Sequence, residues 1–243
     1  MAAGLTLALA LGAGVLAQGE RPSGYLATAD LPDSLTIIGG PPDPRSVEAA
    51  AERANFLATR GLAGTPRWTQ ATADNELFGD KAHLALSCAA GVTISQAATP
   101  TLSRLLDRVV IDAGTSVRAA KDRFMRDRPL IGYDDAPICI PRENWMKTNG
   151  SYPSGHAAAG WAWSLVVAEL VPARATPILQ RGRDFGDSRV VCGLHYPSDV
   201  AAGRTMGAAT VARLHADPAF QKDLKTARAE LAKAPPPAHC PAG

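Results

Sequence analysis

Aromatic residues make up only 5% of this 243-residue chain. Proteins that hold bases or sugars by extensive stacking use more of them, so that mode of binding is not expected here. An excess of one charge is also missing: 25 Lys and Arg stand against 23 Asp and Glu, for a formal net charge of +2. Such a balance argues against nucleic acid or a membrane surface as partner. After residue 17 no stretch offers the ~20 uncharged apolar residues that cross a bilayer. The segment from Pro153 to Ala173 is interrupted by His156 and Glu169. There is no H-E-x-x-H, no C-x-x-C and no carboxylate cluster suited to Mg²⁺ or Ca²⁺, so no metal or other cofactor is expected. No run alternates apolar with polar residues, so no half-buried strand is expected either.

What remains is an ordinary globular composition, 46% apolar and 20% charged, long enough to bury a proper core. Residues 1–17 have the apolar core of a secretory signal, with Val15 and Ala17 forming a small-residue cleavage pattern. No Lys or Arg stands before that apolar run. The expected location is periplasmic or secreted, with no membrane insertion once the signal is removed. Four cysteines (Cys88, Cys139, Cys192 and Cys240) permit two disulfides in an exported chain, and three full pairings are open.

The chain then divides by composition. Residues 18–45 are rich in Pro and Gly and read as an extended arm. Ser46 reads as a cap for a helix ending near Gly61, followed by helices from about Pro66 to Leu77 and from Asp80 to Ala90. The last of these, with Ala82, Leu84, Leu86, Cys88 and Ala89, is apolar on most faces and is expected in the core. Thr99-Pro100 opens another, with Leu102, Leu105, Leu106, Val109 and Val110 at helical spacing. Residues 46–232 are therefore expected to form a single compact all-α domain of eight to ten helices. Residues 233–243, with three consecutive prolines, are expected to be a disordered tail.

Three stretches carry residues suited to anion chemistry. In the first, Lys121 and Arg128 are seven apart, which on a continuous helix returns them to one face about 10 Å apart. Pro129 tends to end the helix at Arg128. Asp122 with Arg126, and Arg123 with Asp127, read as i,i+4 pairs on a solvated face. In the second stretch, Gly150-Ser151-Tyr152-Pro153-Ser154-Gly155-His156 leads into an alanine-rich helix whose N-terminus suits an anion. In the third, Arg189 supplies another cation, and Asp199 stands four residues after His195 across a helix start. A carboxylate there can accept the Nδ1–H of His195 and leave Nε2 free, the orienting logic of a nucleophilic histidine. Three cations, two histidines and one orienting carboxylate point to metal-free chemistry on an oxyanion such as phosphate.

Lys121-x6-Arg128-Pro129, Pro153-Ser154-Gly155-His156 and Ser188-Arg189-x5-His195-x3-Asp199 resemble the three-part signature of the type 2 phosphatidic acid phosphatase and vanadium haloperoxidase superfamily. The Gly150–His156 stretch, Leu31-Pro32-Asp33-Ser34 and Gly64-Thr65-Pro66-Arg67-Trp68 look like the bacterial class A non-specific acid phosphatases. Ala157 departs from that pattern, which has Thr at this place. The resemblance implies an all-helical fold and acid hydrolysis of phosphate monoesters, with vanadate as an inhibitor and phosphotransfer as a possible side activity. It implies His195 as nucleophile, His156 as general acid and base, and Asp199 as the group that holds the His195 tautomer. Lys121, Arg128, Ser154, Gly155 and Arg189 would bind the phosphate, and the assembly would be a homodimer or larger. The alternatives are a vanadate-dependent haloperoxidase, a membrane lipid phosphatase and a non-catalytic phosphate-binding protein.

Overall fold

In the computed structural model, residues 23–240 are described, and they contain helices and no strand. The eleven α-helices are α1 (Ser34–Ile37), α2 (Val47–Thr59), α3 (Pro66–Ala73), α4 (Gly79–Ala90), α5 (Pro100–Ser116), α6 (Arg118–Phe124), α7 (Trp145–Thr148), α8 (Gly155–Leu170), α9 (Ala175–Val191), α10 (Pro197–Leu214) and α11 (Pro218–Leu231). Their starts follow local chemistry. The Ser46 hydroxyl accepts the Ala49 N–H, Thr65 Oγ1 accepts that of Trp68, and Asp217 accepts that of Phe220. Each cap satisfies one of the N–H groups that a first turn leaves free. The signal-like residues 1–17 lie outside the described residues.

Helix α8 is the centre of the domain. It packs against α5, α9 and α10, and its Ala158, Ala159, Ala162, Trp163, Val166 and Val167 are buried. A helix apolar all round has to be enclosed. Small residues let its neighbours come close. At Gly203 on α10 a Cβ would overlap the Ser154 carbonyl oxygen, so only glycine lets α10 pass the start of α8. The same tight junction buries Ala157 in full.

Helix α4 differs from its expectation as a core helix. Ala82, Leu86 and Ala90 are buried, but Leu84 is 41% exposed, because α4 lies on the domain with one face outward. The arm holds on through backbone polar groups: the N–H groups of Tyr25 and Leu26 donate to Asp112 at 2.8 and 3.2 Å. The Ser34 hydroxyl accepts the Ala120 N–H, and Tyr152 Oη donates to the Gly39 carbonyl.

Two disulfides select one of the three open pairings, Cys88–Cys240 and Cys139–Cys192. The first corrects the expectation of a disordered tail over residues 233–240. That segment is tied to α4, and Thr93 donates to the Pro235 and Pro236 carbonyls. The second disulfide ties the long connection after α6 to the end of α9. There Leu130, Met146, Val191 and Leu194 form a small core of their own.

His83 on α4 is fully buried, with neither ring nitrogen hydrogen-bonded and Nε2 3.5 Å from Asp107. Burial pulls its pKa down to about 4. The folded state therefore favours the neutral ring. Stability from this preference is complete above the ordinary histidine value near 6.5 and is lost as pH falls toward 4. We expect the melting temperature to drop over that window. His83→Leu should recover up to about 3 kcal/mol of the loss at pH 4. Melting curves of the two proteins at pH 7 and pH 4 check this, and parallel acid losses would refute it.

Candidate active site

Helix α6 carries Lys121 near its end and stops at Phe124. Met125 takes a left-handed conformation (φ 41°, ψ 39°), and its N–H closes on the Lys121 carbonyl. Lys121 and Arg128 thus do not share a helix face, contrary to the spacing argument. They meet because the chain reverses at Met125 and runs on as a loop to Pro129. Lys121 Nζ donates to the Gly150 carbonyl at 2.7 Å. Burial, and then the positive charge of Arg128, lower its pKa to about 7.

Arg128 is buried and held on several sides. Nε donates to the Asn149 carbonyl, and Nη1 donates to the Leu194 carbonyl at 3.0 Å. Nη1 also lies 3.1 Å from His195 Nε2. A guanidinium only donates, so His195 Nε2 must present its lone pair, and the ring proton sits on Nδ1. Burial lowers the Arg128 pKa to about 10, which leaves it charged.

The end of α9 supplies the next wall. Gly193 (φ 77°) turns the chain in a conformation that suits glycine, and a side chain there would also press on Arg60 and Phe56. The turn brings His195 back beside Arg189. Arg189 is 1% exposed. Its Nη2 donates to Asn75 Oδ1 at 3.3 Å, while Nε and Nη1 have no partner among the described residues. Buried donors left unpaired are costly, so they mark a place prepared for an acceptor. Burial and the nearby Arg128 bring the Arg189 pKa down to about 9.

Ser154 caps α8 by accepting the Ala157 N–H at 3.3 Å, and its own N–H donates to the Asp199 carbonyl at 2.9 Å. The starts of α8 and α10 are thereby laced together. His156 Nε2 lies 3.2 Å from the Asn75 carbonyl, so Nε2 carries a proton and Nδ1 is the nitrogen left for chemistry. The ring stacks on Phe185. Burial first, and then the charge of Arg189, push the His156 pKa well below its ordinary value. Burial and the charges of Arg128, Lys121 and Arg189 do the same to His195.

Asp199 is fully buried. Oδ2 accepts the Tyr196 N–H at 2.8 Å and lies 3.5 Å from His195 Nδ1. Oδ1 forms an ion pair with Arg126 at 2.7 Å, and the other arm of Arg126 pairs with Glu52 at the same distance. Glu52 Oε1 in turn accepts the Ser198 N–H, and the Arg126 guanidinium covers the Tyr196 ring. This corrects the reading of Arg126 as a solvated i,i+4 partner of Asp122. The signal that was available was Pro129. It disfavours helix at Arg128, and residues two apart in an extended run differ from those on a helix face. Glu52 and Asn75 left no comparable signal. Asn75 faces the site because Asp74 beside it is fixed by Arg181 and by the Ser188 hydroxyl.

Together these walls enclose a cavity of about 200 Å³. Lys121, Arg128, Gly155, His156, Arg189 and His195 border it, while Ser154 and Asp199 stand behind them. Among the described residues no group of three or more His, Cys, Asp or Glu side chains gathers that could hold a metal ion. Three cationic side chains, Lys121, Arg128 and Arg189, and two imidazoles, His156 and His195, thus border one cavity.

The profile of the PAP2 superfamily matches residues 84–222. The chain belongs to the PAP2 superfamily. Within it, the chain is 40% identical over 210 residues to the acid phosphatase of Zymomonas mobilis subsp. mobilis, spanning 86% of this chain and 79% of that protein. It is 39% identical over 210 residues to the non-specific acid phosphatase of Providencia stuartii, spanning 86% and 85%. The non-specific acid phosphatase of Salmonella typhimurium is 38% identical over 194 residues, or 79% of this chain and 78% of that one. The chain thus falls with the bacterial non-specific acid phosphatases of the PAP2 superfamily. Among solved structures, a bacterial vanadium-dependent iodoperoxidase aligns with a TM-score of 0.53 at 19% identity. The alignment covers 76% of this chain and 54% of that one, a likeness of fold. No helix among the described residues is long and apolar enough to cross a membrane.

Proposed function

We propose that this PAP2 member is an acid phosphatase that hydrolyses phosphate monoesters through a phosphohistidine on His195, without a metal ion. The observation that carries the reading is the cavity floor. His195 borders the cavity with Nε2 3.1 Å from Arg128 Nη1, a donor that a bound phosphate would take over, and the Arg189 Nε and Nη1 groups find no acceptor among the described residues. Three cations at one floor suit a phosphoryl dianion and repel a metal cation.

In the first step the His195 Nε2 lone pair attacks phosphorus and the P–O bond to the alcohol breaks. The imidazolium so formed keeps its Nδ1 proton toward Asp199. His156 gives its Nδ1 proton to the departing oxygen. Water then attacks phosphorus, His156 takes a proton from it, and the P–N bond breaks to release phosphate and neutral His195. Lys121, Arg128, Arg189 and the Gly155 N–H hold the phosphoryl oxygens, while Ser154, expected among them, stands behind the wall and caps α8.

The depressed pKa of His195 keeps the nucleophile neutral in mild acid. A bound dianion favours the charged forms of His156 and Lys121. In the free enzyme Lys121 loses its proton as pH rises through about 7. We therefore expect kcat/KM to hold in mild acid and to fall above neutral pH. Two disulfides support an oxidising, exported location.

Leaving-group dependence tests the acid role. His156→Ala should cost about 10²- to 10⁴-fold on alkyl phosphates and much less on aryl phosphates, whose alcohols depart without a proton. Equal losses on both would remove His156 from that role.

A further inference from the structure

The cavity has a second half that phosphate does not explain. Besides the cations it is bordered by Leu77 from the segment before α4, Val110 from α5 and Trp145 from α7. Trp145 is a large apolar side chain left 37% exposed at this opening. Its indole N–H is already given to Glu143 at 3.1 Å, and the Arg128 guanidinium lies over its ring at 4.8 Å. Its place is set by the next residue, Met146, which plugs the small core beneath the Cys139–Cys192 disulfide.

Groups that would recognise hydroxyls are scarce here. The neutral polar side chain on the cavity wall is that of Asn149, and its oxygen already accepts from Arg128 Nη2 at 3.4 Å. Its backbone carbonyl accepts from Arg128 Nε. A polyol leaving group entering this half would lose water from its hydroxyls and find few partners. A flat apolar group would cover Trp145, Leu77 and Val110 and release water from them.

We propose that Trp145, with Leu77 and Val110, determines substrate choice in favour of phosphate esters of aromatic alcohols over those of polyols. The inference rests on the phosphatase reading and names the substrate class of the same site. Because aryl alcohols are also better leaving groups, the comparison needs two primary alkyl esters. 2-Phenylethyl phosphate and glycerol 1-phosphate serve, with kcat/KM measured for each.

The wild-type ratio should favour the phenylethyl ester by about ten-fold or more. Trp145→Ala should bring the ratio down toward one, Trp145→Phe should keep most of it, and Leu77→Ala should lower it as well. Because Trp145 touches Arg128, the ratio is the readout, since weaker phosphate binding affects both esters alike. The inhibition constant for inorganic phosphate reports that common loss separately. A wild-type ratio near one, or a ratio unmoved in both Trp145→Ala and Leu77→Ala, overturns the inference and leaves the phosphatase reading standing. No turnover of any phosphate ester overturns both.

Discussion

His195→Ala should lower turnover of aryl phosphates by about 10³-fold or more while the protein stays folded. The side chain is nearly buried, but it fastens little. Arg128 Nη1 still has the Leu194 carbonyl, and Asp199 still has Arg126 and the Tyr196 N–H. What disappears is the lone pair that attacks phosphorus in the proposed mechanism. The floor of Lys121, Arg128 and Arg189 remains, so inorganic phosphate should still bind. The checks are steady-state rates with p-nitrophenyl phosphate, a melting curve and phosphate protection of that melting temperature. Substantial turnover by a folded variant would exclude His195 as nucleophile. A short incubation with labelled substrate followed by an alkaline quench should trap a phosphoprotein in the parent enzyme and none in the variant.

Arg126→Met should be the most damaging change outside the cavity wall. The guanidinium bridges two buried carboxylates, Glu52 and Asp199, at 2.7 Å each. Removing one partner of a buried pair leaves uncompensated charge and costs about 3–5 kcal/mol. The change also reaches the chemistry. Burial raises the Asp199 pKa, and Arg126 is the largest influence opposing it. Without Arg126 the carboxyl protonates at a higher pH and would lose the orienting role proposed for it toward His195 Nδ1, 3.5 Å away. The acid limb of kcat/KM should therefore move to higher pH, a shift that plain destabilisation would not produce. Glu52→Gln keeps the Arg126–Asp199 pair and should move that limb less. An acid limb unchanged in folded Arg126→Met would refute the positioning role.

Local sequence was sufficient at several helix starts and along α5. Ser46, Thr65-Pro66 and Thr99-Pro100 marked three helix starts, and Leu102, Leu105, Leu106, Val109 and Val110 form the buried stripe of α5. The three sequence blocks also contain Lys121, Arg128, Gly155, His156, Arg189 and His195, which border one cavity. Their arrangement was not legible there. Arg128 reaches Lys121 through a chain reversal at Met125, a residue type that rarely takes positive φ, so helical spacing suggested the right meeting for the wrong reason. Arg126 was misread for the same cause, since its partners lie far along the chain on α2 and at the start of α10.

The amino-acid sequence by itself determined the all-α architecture, the chemical set of three cations with two histidines and a carboxylate, and the balance of charge. Each depends on composition or on contacts within a few residues. Only the tertiary structure decided which cysteines pair and which partners the two imidazoles meet. It also decided that Glu52 and Asn75 support the site and that Trp145 borders its apolar half. These depend on segments distant in sequence packing around α8, where burial sets the pKa values and fixes hydrogen-bond partners that no local pattern encodes.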